Sequence, residues 1–147
     1  MTNDEVQDYL YQHIPLSRAM GIEVTHAQKQ KVVLSIPLEP NINHRETAFG
    51  GSISAAATLA CWILLHLRLL DVPGDFRLVI HKNKVVYRSP IKGRFSAVCH
   101  LTEEKRWSDF LSMLDRWGKA KMMLKSHLEY EGIQAGEFSG SFVALRA

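Results

Sequence analysis

The sequence predicts an α+β domain in which an antiparallel β-sheet wraps around one long buried helix. The first observation is the segment from about 52 to 70, which is apolar on almost every face of a helix. The second is a set of six strand-like segments in consecutive pairs with short connections, which favours antiparallel pairing. A helix that is apolar on most sides needs cover on most sides, and a curved sheet supplies that cover.

The chain of 147 residues is predicted to form a single domain, 1–147, because no Pro/Gly/Ser-rich linker divides it. The acidic N-terminus lacks the pattern of a signal peptide. The apolar run 53–70 contains Ser54, Thr58, His66 and Arg68, so it is typical of a core helix rather than a membrane span. We therefore expect a cytoplasmic protein, with Cys61 and Cys99 as reduced core thiols rather than a disulfide.

The first half of the chain contains a helix, two strands, a loop and the long helix. Residues 3–14 have helical spacing of apolar residues, with Thr2 or Asn3 available as a cap. The segments "GIEVTHA" and "KVVLSIPLE" predict a strand pair. Residues 40–51 have no periodicity, and a loop of this length in a compact domain is often functional. The long helix is expected to start after the glycines, with Ser52 in its first turn.

The second half contains two strands, a short helix and two strands. The segment "FRLVIHKNKVVYRSP" predicts a long strand whose apolar parity shifts, which indicates either a bulge or a change of the covered face near 82–84. "RFSAVCHLT" alternates as the next strand. A helix follows with Gly118 at its C-cap and one apolar stripe, formed by Trp107, Phe110, Leu111, Leu114 and Trp117. "KAKMMLKSHLEYEG", with apolar and charged residues on opposite faces, and "EFSGSFVALRA" are the last two strands.

The stretch "NHRETAFGG" joins the polar loop to the apolar helix. The first N–H groups of a helix have no internal partner and lie at its electropositive end. Gly50 and Gly51 would let a ligand approach these groups, which suits an anion or a carbonyl oxygen that becomes an oxyanion. The alternative is that the glycines only permit a tight turn.

The spacing N-x-x-x-T-x-x-G-G from Asn43 to Gly51, followed by the buried helix, resembles the hotdog-fold thioesterases. Within that superfamily, "TAFGGSISAAATLACW" is most similar to a family of bacterial thioesterases whose members occur alone or fused behind an N-acetyltransferase domain. The resemblance implies hydrolysis of acyl thioesters of coenzyme A or acyl carrier protein. It also implies that backbone N–H of Gly50 or Gly51 polarises the carbonyl, and that Asn43 helps to place the attacking water.

The sequence departs from the superfamily pattern at two positions. The usual carboxylate lies on the helix eight residues after the first glycine, where this chain has Thr58, and the common histidine before the glycines is Phe49. A threonine hydroxyl can orient water but is a poor base. Glu46, His44 or a residue from across a dimer interface could replace the base. The alternatives are that Thr58 bonds a carbonyl one turn back and that Glu46 is a solvated loop charge.

A basic cluster lies in "HKNKVVYRSPIKGRF" and consists of Lys82, Lys84, Arg88, Lys92 and Arg94. The first three would share one strand face, and the cluster could bind the phosphates of coenzyme A. The alternative is a solvated strand face that discourages edge pairing. Nucleic-acid binding is not expected, because Tyr87 is the single interleaved aromatic residue and does not make a stacking platform.

The resemblance implies a homodimer or homotetramer that hydrolyses acyl-CoA or acyl-ACP. The alternative function is a non-catalytic acyl-CoA-binding or accessory module, which the absent carboxylate at Thr58 favours. Candidate catalytic residues are Asn43, Glu46, Gly50, Gly51 and Thr58. Further substrate contacts are expected from His44, Thr47 and Ser52, and an acyl tunnel from Phe49, Ile53 and Trp62. No cofactor is expected, and the seven histidines do not have the spacing of a metal site.

Overall fold

A six-stranded antiparallel sheet wraps around one long helix in the computed structural model, which describes residues 1–147. The helices are α1 (Asn3–His13), α2 (Pro15–Ala19), α3 (Gly50–Leu69) and α4 (Glu104–Trp117). The strands are β1 (Glu23–Ala27), β2 (Lys31–Ile36), β3 (Phe76–Tyr87), β4 (Phe95–His100), β5 (Lys119–Tyr130) and β6 (Ile133–Arg146), in the order β1-β2-β4-β5-β6-β3. The predicted α+β architecture is confirmed.

Helix α3 forms the centre of the core. Its length and composition would allow it to cross a membrane, but 67% of its most apolar window is buried inside the domain. Such burial is typical of the core helix of a folded domain. The helix begins at Gly50, two residues earlier than predicted, because both glycines adopt helical conformation and Phe49 is the N-cap.

Strand β3 is the longer of the two edge strands of the sheet, and it pairs with β6 on one side only. Its register shifts between Ile80 and Lys82, which confirms a bulge close to the predicted place. Before and after the shift, Ile80 and Val85 pack against the core around α3. The bulge therefore keeps apolar residues of both halves of β3 on the helix side.

Strand β5 alternates as predicted, with Met122 and Leu124 buried and Lys121 and Lys125 exposed. We use the term outer face for the side of the sheet that carries Lys121 and Lys125, away from α3. Helix α4 confirms the C-cap at Gly118, whose φ is 67°. The predicted apolar stripe was wrong at Trp117, the last residue of α4, which is 65% exposed.

The two cysteines are free and buried, as predicted. Burial raises the pKa of the Cys61 thiol, and the neighbouring Cys99 raises it further. Both sulfurs therefore belong to the packing of α3 against β4 rather than to reactive chemistry.

Candidate active site

The start of α3 presents three backbone N–H groups without partners. The first helical hydrogen bond runs from the N–H of Ile53 to the carbonyl of Phe49, so the N–H groups of Gly50, Gly51 and Ser52 have no acceptor in the chain. No side chain caps this end and no acidic residue lies in its first turn. At α1, in contrast, Thr2 and Glu5 form a capping box. The N-terminus of α3 therefore keeps its hydrogen-bond donors and its positive potential available.

The loop before α3 is held together by Asn43 and Thr47. The side-chain oxygen of Asn43 accepts from the N–H of Arg45 at 2.9 Å and from that of Thr47 at 3.1 Å. Its amide group donates to the Thr47 hydroxyl at 2.9 Å. Because both ends of the side chain are engaged, Asn43 shapes the loop in this structure, which the sequence motif alone did not reveal.

The loop also delivers Phe49 to the glycines. The N–H of Phe49 donates to the carbonyl of Asn41 at 2.7 Å, and that of Ala48 donates to Ile91 at 2.8 Å. The ring of Phe49, 56% exposed, lies against Gly51. A Cβ on Gly51 would lie 2.4 Å from Cε2 of Phe49, so only glycine fits beneath the ring in this position.

Tyr87 is a site residue that the sequence reasoning did not include. Its hydroxyl donates to the carbonyl of Gly50 at 3.0 Å, and its ring packs on Gly50. The sequence signal that could have identified Tyr87 is its alternation with Val85. It lies two residues after Val85 and therefore on the same side of β3, which faces the helix. The contact ties the end of β3 to the first turn of α3.

A pocket of about 310 Å³ lies between the start of α3 and the end of β3. It is lined by Ala48, Gly50, Ile53, Tyr87, Arg88, Ser89, Pro90 and Ile91. Ile53 and Ile91 are buried and apolar. The pocket thus combines an apolar wall, a helix N-terminus and a single cation, with no carboxylate or histidine in its lining.

Arg88 is bound to Glu137 of β6, with Nη2 3.0 Å from Oε2. The hydrogen bond raises the pKa of Arg88 and lowers that of Glu137. Both side chains remain about half exposed, so the pair leaves Arg88 accessible to an anionic ligand.

A family model described as "Putative thioesterase (yiiD_Cterm)" matches residues 3–146, nearly the whole chain. The chain belongs to this thioesterase family. A solved structure of a protein of unknown function from Chlorobaculum tepidum TLS is 29% identical, with a TM-score of 0.92 over 99% of this chain and 94% of that one. A structure called a putative thioesterase from Shewanella oneidensis is 26% identical, with a TM-score of 0.85 over 97% and 96% of the two chains.

A more distant structure confirms the predicted hotdog fold. A thioesterase from Haemophilus influenzae shares 11% identity, with a TM-score of 0.77 over 99% of this chain and 92% of that one. At this identity the likeness concerns the fold alone. The resemblance to hotdog thioesterases, drawn from the glycine motif and the element order, is therefore confirmed at the level of family and fold.

Thr58, at the position where the resemblance implies a carboxylate, donates its hydroxyl to the carbonyl of Ser54 at 2.9 Å. This is the local hydrogen bond, one turn back along the helix, that was expected as the alternative to a role in orienting water. Thr58 lies eight residues after Gly50, or about 12 Å along the helix axis. Gly50 and Thr58 of one chain therefore do not meet at one substrate carbonyl.

The other candidates for the base lie at the tip of the loop. Glu46 and His44 are exposed and do not line the pocket. Glu46 has a φ of 62°, a left-handed turn conformation that is uncommon for a residue with a side chain. Within one subunit, neither residue is brought to the glycines.

The predicted basic cluster is divided among three places. Lys82 and Lys84 pair with Ser141 and Ser139 of β6 and share the outer face, away from the glycines. Arg94 lies 3.0 Å from the Ser35 hydroxyl and 3.9 Å from Glu23, and Lys92 is exposed. Arg88 is the member that lines the pocket beside Gly50.

Trp62, a predicted member of the acyl tunnel, lies away from the pocket at the start of α3. This residue lies twelve positions after Gly50, about 18 Å along the helix. Its Nε1 donates to the carbonyl of Leu78 at 3.1 Å, and its ring stacks on His66. Ile53 lines the pocket, and Phe49 lies at the glycines.

Proposed function

We propose that this protein hydrolyses acyl thioesters of coenzyme A or acyl carrier protein at the start of α3. The observation that carries the proposal is the set of unpaired N–H groups at Gly50, Gly51 and Ser52 beside an apolar pocket. The thioester carbonyl oxygen would accept from the N–H of Gly50 or Gly51. Water would attack the carbonyl carbon, and the tetrahedral oxyanion would collapse with release of the thiol. One such donor contributes about 3–4 kcal/mol to lowering the barrier.

The pocket suggests how the rest of the substrate lies. The acyl chain would pack on Ile53 and Ile91, with Phe49 covering the glycine side. Arg88 would contact a phosphate of the carrier, since phosphate and guanidinium form charge-assisted bonds. Lys82 and Lys84 are left out of this role because they lie on the other face of the sheet.

The reaction also needs a group that activates water, and we propose that it comes from a second subunit. Strand β3 has twelve residues and a free edge along which a second copy can pair. In such a homodimer the Thr58 hydroxyl of one subunit would orient water at the glycines of the other. Glu46 or His44 from the loop tip would then be the base.

Release of free thiol from a panel of acyl-CoA thioesters tests the proposal. We expect turnover by the wild-type protein and a loss of at least tenfold in Asn43→Ala, because the loop that delivers Phe49 and the glycines is no longer held. Arg45→Ala is the matched control, since its exposed side chain makes no hydrogen bond in the same loop. Equal activity of the two variants would contradict the assignment of the site.

A second candidate function is a non-catalytic acyl-CoA-binding module. It is favoured by the engaged hydroxyl of Thr58 and by the absence of a carboxylate from the pocket lining. It predicts acyl-CoA binding by calorimetry without thiol release, and no gain of turnover in Thr58→Asp. Wild-type turnover would exclude it.

A further inference from the structure

A second and larger pocket, of about 630 Å³, opens over β3, β4, β5 and β6. Its charged lining residues lie on the outer face, away from the glycines of α3. They are Lys84, His100, Lys125, His127 and Glu137. The proposed thioesterase site uses none of this pocket.

The register of the strands arranges the lining in two rows. In the first row, Lys84 is paired with Ser139, and Ser139 with Lys125. His100 continues this row on β4, since its neighbour Cys99 is paired with Ser126. Strands are spaced by about 4.8 Å, so the α-carbons of the two lysines are about 10 Å apart with a serine between them.

The second row has a different character. Val86 is paired with Glu137, Glu137 with His127, and His127 with Val98. The two valines give the ends of this row an apolar surface. The pocket therefore has a cationic side and a mixed, weakly polar side.

The carboxylates around the pocket already have partners, whereas the lysines form no ion pair at contact distance. The charge of Lys125 still reaches Glu137, whose pKa is lowered mainly by Arg88 and to a smaller extent by Lys125. Glu137 accepts from Arg88 and from Gln134, each at 3.0 Å, and Glu129 lies 2.8 Å from Nε2 of His127. Lys84 and Lys125 take part in none of the ion pairs of the chain. Two unpaired like charges flanking one serine favour an anion between them.

The behaviour of His100 agrees with a positive potential in the first row. Partial burial, Lys31 on β2 and His127 on β5 lower the pKa of His100, while Glu129 opposes the shift. Lys84, Lys125 and Glu137 are the remaining charged groups around the pocket. An anion bound at the first row would raise the pKa of His100.

We propose that this outer-face pocket binds a small phosphorylated metabolite. Its phosphate would lie between Lys84 and Lys125, where the Ser139 hydroxyl would turn to it from its present contact with Sδ of Met123 at 3.4 Å. A compact uncharged body would lie on Val86, on the same strand as Lys84. An extended polyanion fits less well, because Glu129 and Glu137 interrupt the positive surface at the second row.

Binding of inorganic pyrophosphate to the full chain tests the proposal, by calorimetry and by NMR of the His100 and His127 rings. We expect saturable binding, a higher pKa of His100, and at least tenfold weaker binding in Lys84→Ala/Lys125→Ala. The matched control is Lys119→Ala/Lys121→Ala, which removes two exposed outer-face charges of β5 that do not line the pocket.

Three results would overturn the proposal. The first is that both double variants bind pyrophosphate with equal affinity. The second is that sodium chloride at the same ionic strength shifts the NMR signals of the His100 and His127 rings as much as pyrophosphate does. The third is that another copy of the chain covers the pocket. The last would appear as absent pyrophosphate binding together with a smaller sedimenting mass of Lys84→Ala/Lys125→Ala. Pyrophosphate binding that persists in Asn43→Ala would show that the pocket is independent of the thioesterase site.

Discussion

At the scale of single residues, Gly51 is the most constrained position of the candidate site. Gly51→Ala would bring a Cβ to 2.4 Å from Phe49, whereas a Cβ on Gly50 meets the Tyr87 hydroxyl at an ordinary 3.4 Å. The ring of Phe49 must therefore move when Gly51 is replaced. We expect Gly51→Ala to lower kcat/KM for acyl-CoA hydrolysis at least tenfold, measured by thiol release.

A double variant distinguishes the displacement of the Phe49 ring in Gly51→Ala from other effects of the new methyl group. Phe49→Ala/Gly51→Ala removes the atom that the methyl group meets, so we expect it to be more active than Gly51→Ala alone. Gly50→Ala is the milder control. Equal impairment of the single and double variants would contradict the role of the Phe49 contact.

A pH dependence of stability follows from His66, which stacks between Tyr9, at a ring distance of 4.5 Å, and Trp62, at 5.1 Å. Partial burial, and secondarily His13, lower the pKa of His66. The unfolded chain then takes up the proton at a higher pH than the folded one. Stability is therefore complete above about pH 6.5 and is lost as the pH falls from there through the lower folded pKa.

Urea unfolding at pH 7.5 and 5.5 measures this loss. His66→Phe keeps a ring in the stack and removes the titrating group, so we expect a smaller loss between the two pH values than in the wild type. His100 has a lowered pKa as well and preserves part of the dependence. His81→Phe, at an exposed position, is the control. An unchanged pH dependence in His66→Phe would contradict the assignment.

Local contacts of the site were predictable from the sequence, and distant ones were not. The bond from Thr58 to Ser54 spans four residues and follows from helix geometry. The bonds from Tyr87 to Gly50 and from Arg88 to Glu137 join residues 37 and 49 positions apart. They depend on strand register, which a single sequence does not determine.

At the scale of elements, Arg68 holds together the end of α3 and two connections. It is 4% exposed, and its Nε donates to the carbonyl of Lys29, while Nη2 donates to that of Leu101 at 2.8 Å. The guanidinium also lies over the Trp107 ring of α4, 5.4 Å from its centre. The sequence showed Arg68 only as a polar interruption of an apolar helix.

Removal of this side chain takes the donors away from the buried carbonyl of Leu101 and the part-buried carbonyl of Lys29. We expect Arg68→Met to lower the free energy of unfolding by about 3 kcal/mol, measured by urea denaturation. Arg116→Met, on the exposed side of α4, is the matched control and should change stability by less than about 0.5 kcal/mol. If Arg68→Met lowered the free energy of unfolding as little as Arg116→Met, water would have replaced the guanidinium as the donor to these carbonyls.

The helices and strands were the most predictable part of the structure, because the period of the apolar residues shows which side of each element is buried. The alternation of β5 and the parity shift of β3 were both confirmed. The start of α3 was misplaced by two residues because glycine has a low helix propensity and is commoner in turns. Here the early start places both glycines in the first turn of the helix, with their N–H groups free.

At the scale of the whole molecule, the sequence predicted that Lys82 and Lys84 share a face but not which face it is. Their side was settled by the pairing of β3 with β6, together with the position of α3. The same pairing leaves the other edge of β3 without a partner. An edge of twelve residues with Val79 48% exposed is a surface on which another strand can pair.

Pairing of two β3 edges would explain why one subunit lacks a group that activates water. Such pairing would place α3 of the second subunit beside α3 of the first. The proposed hydrolysis would then require the dimer. We expect Val79→Lys, which puts a like charge near the pairing edge of both subunits, to shift the protein toward monomer in sedimentation velocity. Thiol release should fall in parallel with the dimer fraction.

Thr25→Lys supplies the control, because it adds the same charge to the exposed face of the other edge strand, β1. Its mass and activity should match those of the wild type. The decisive comparison is activity against protein concentration. If pairing completes the site, the specific activity of Val79→Lys recovers as concentration drives the dimer to form, whereas a site contained in one subunit would give a specific activity independent of concentration.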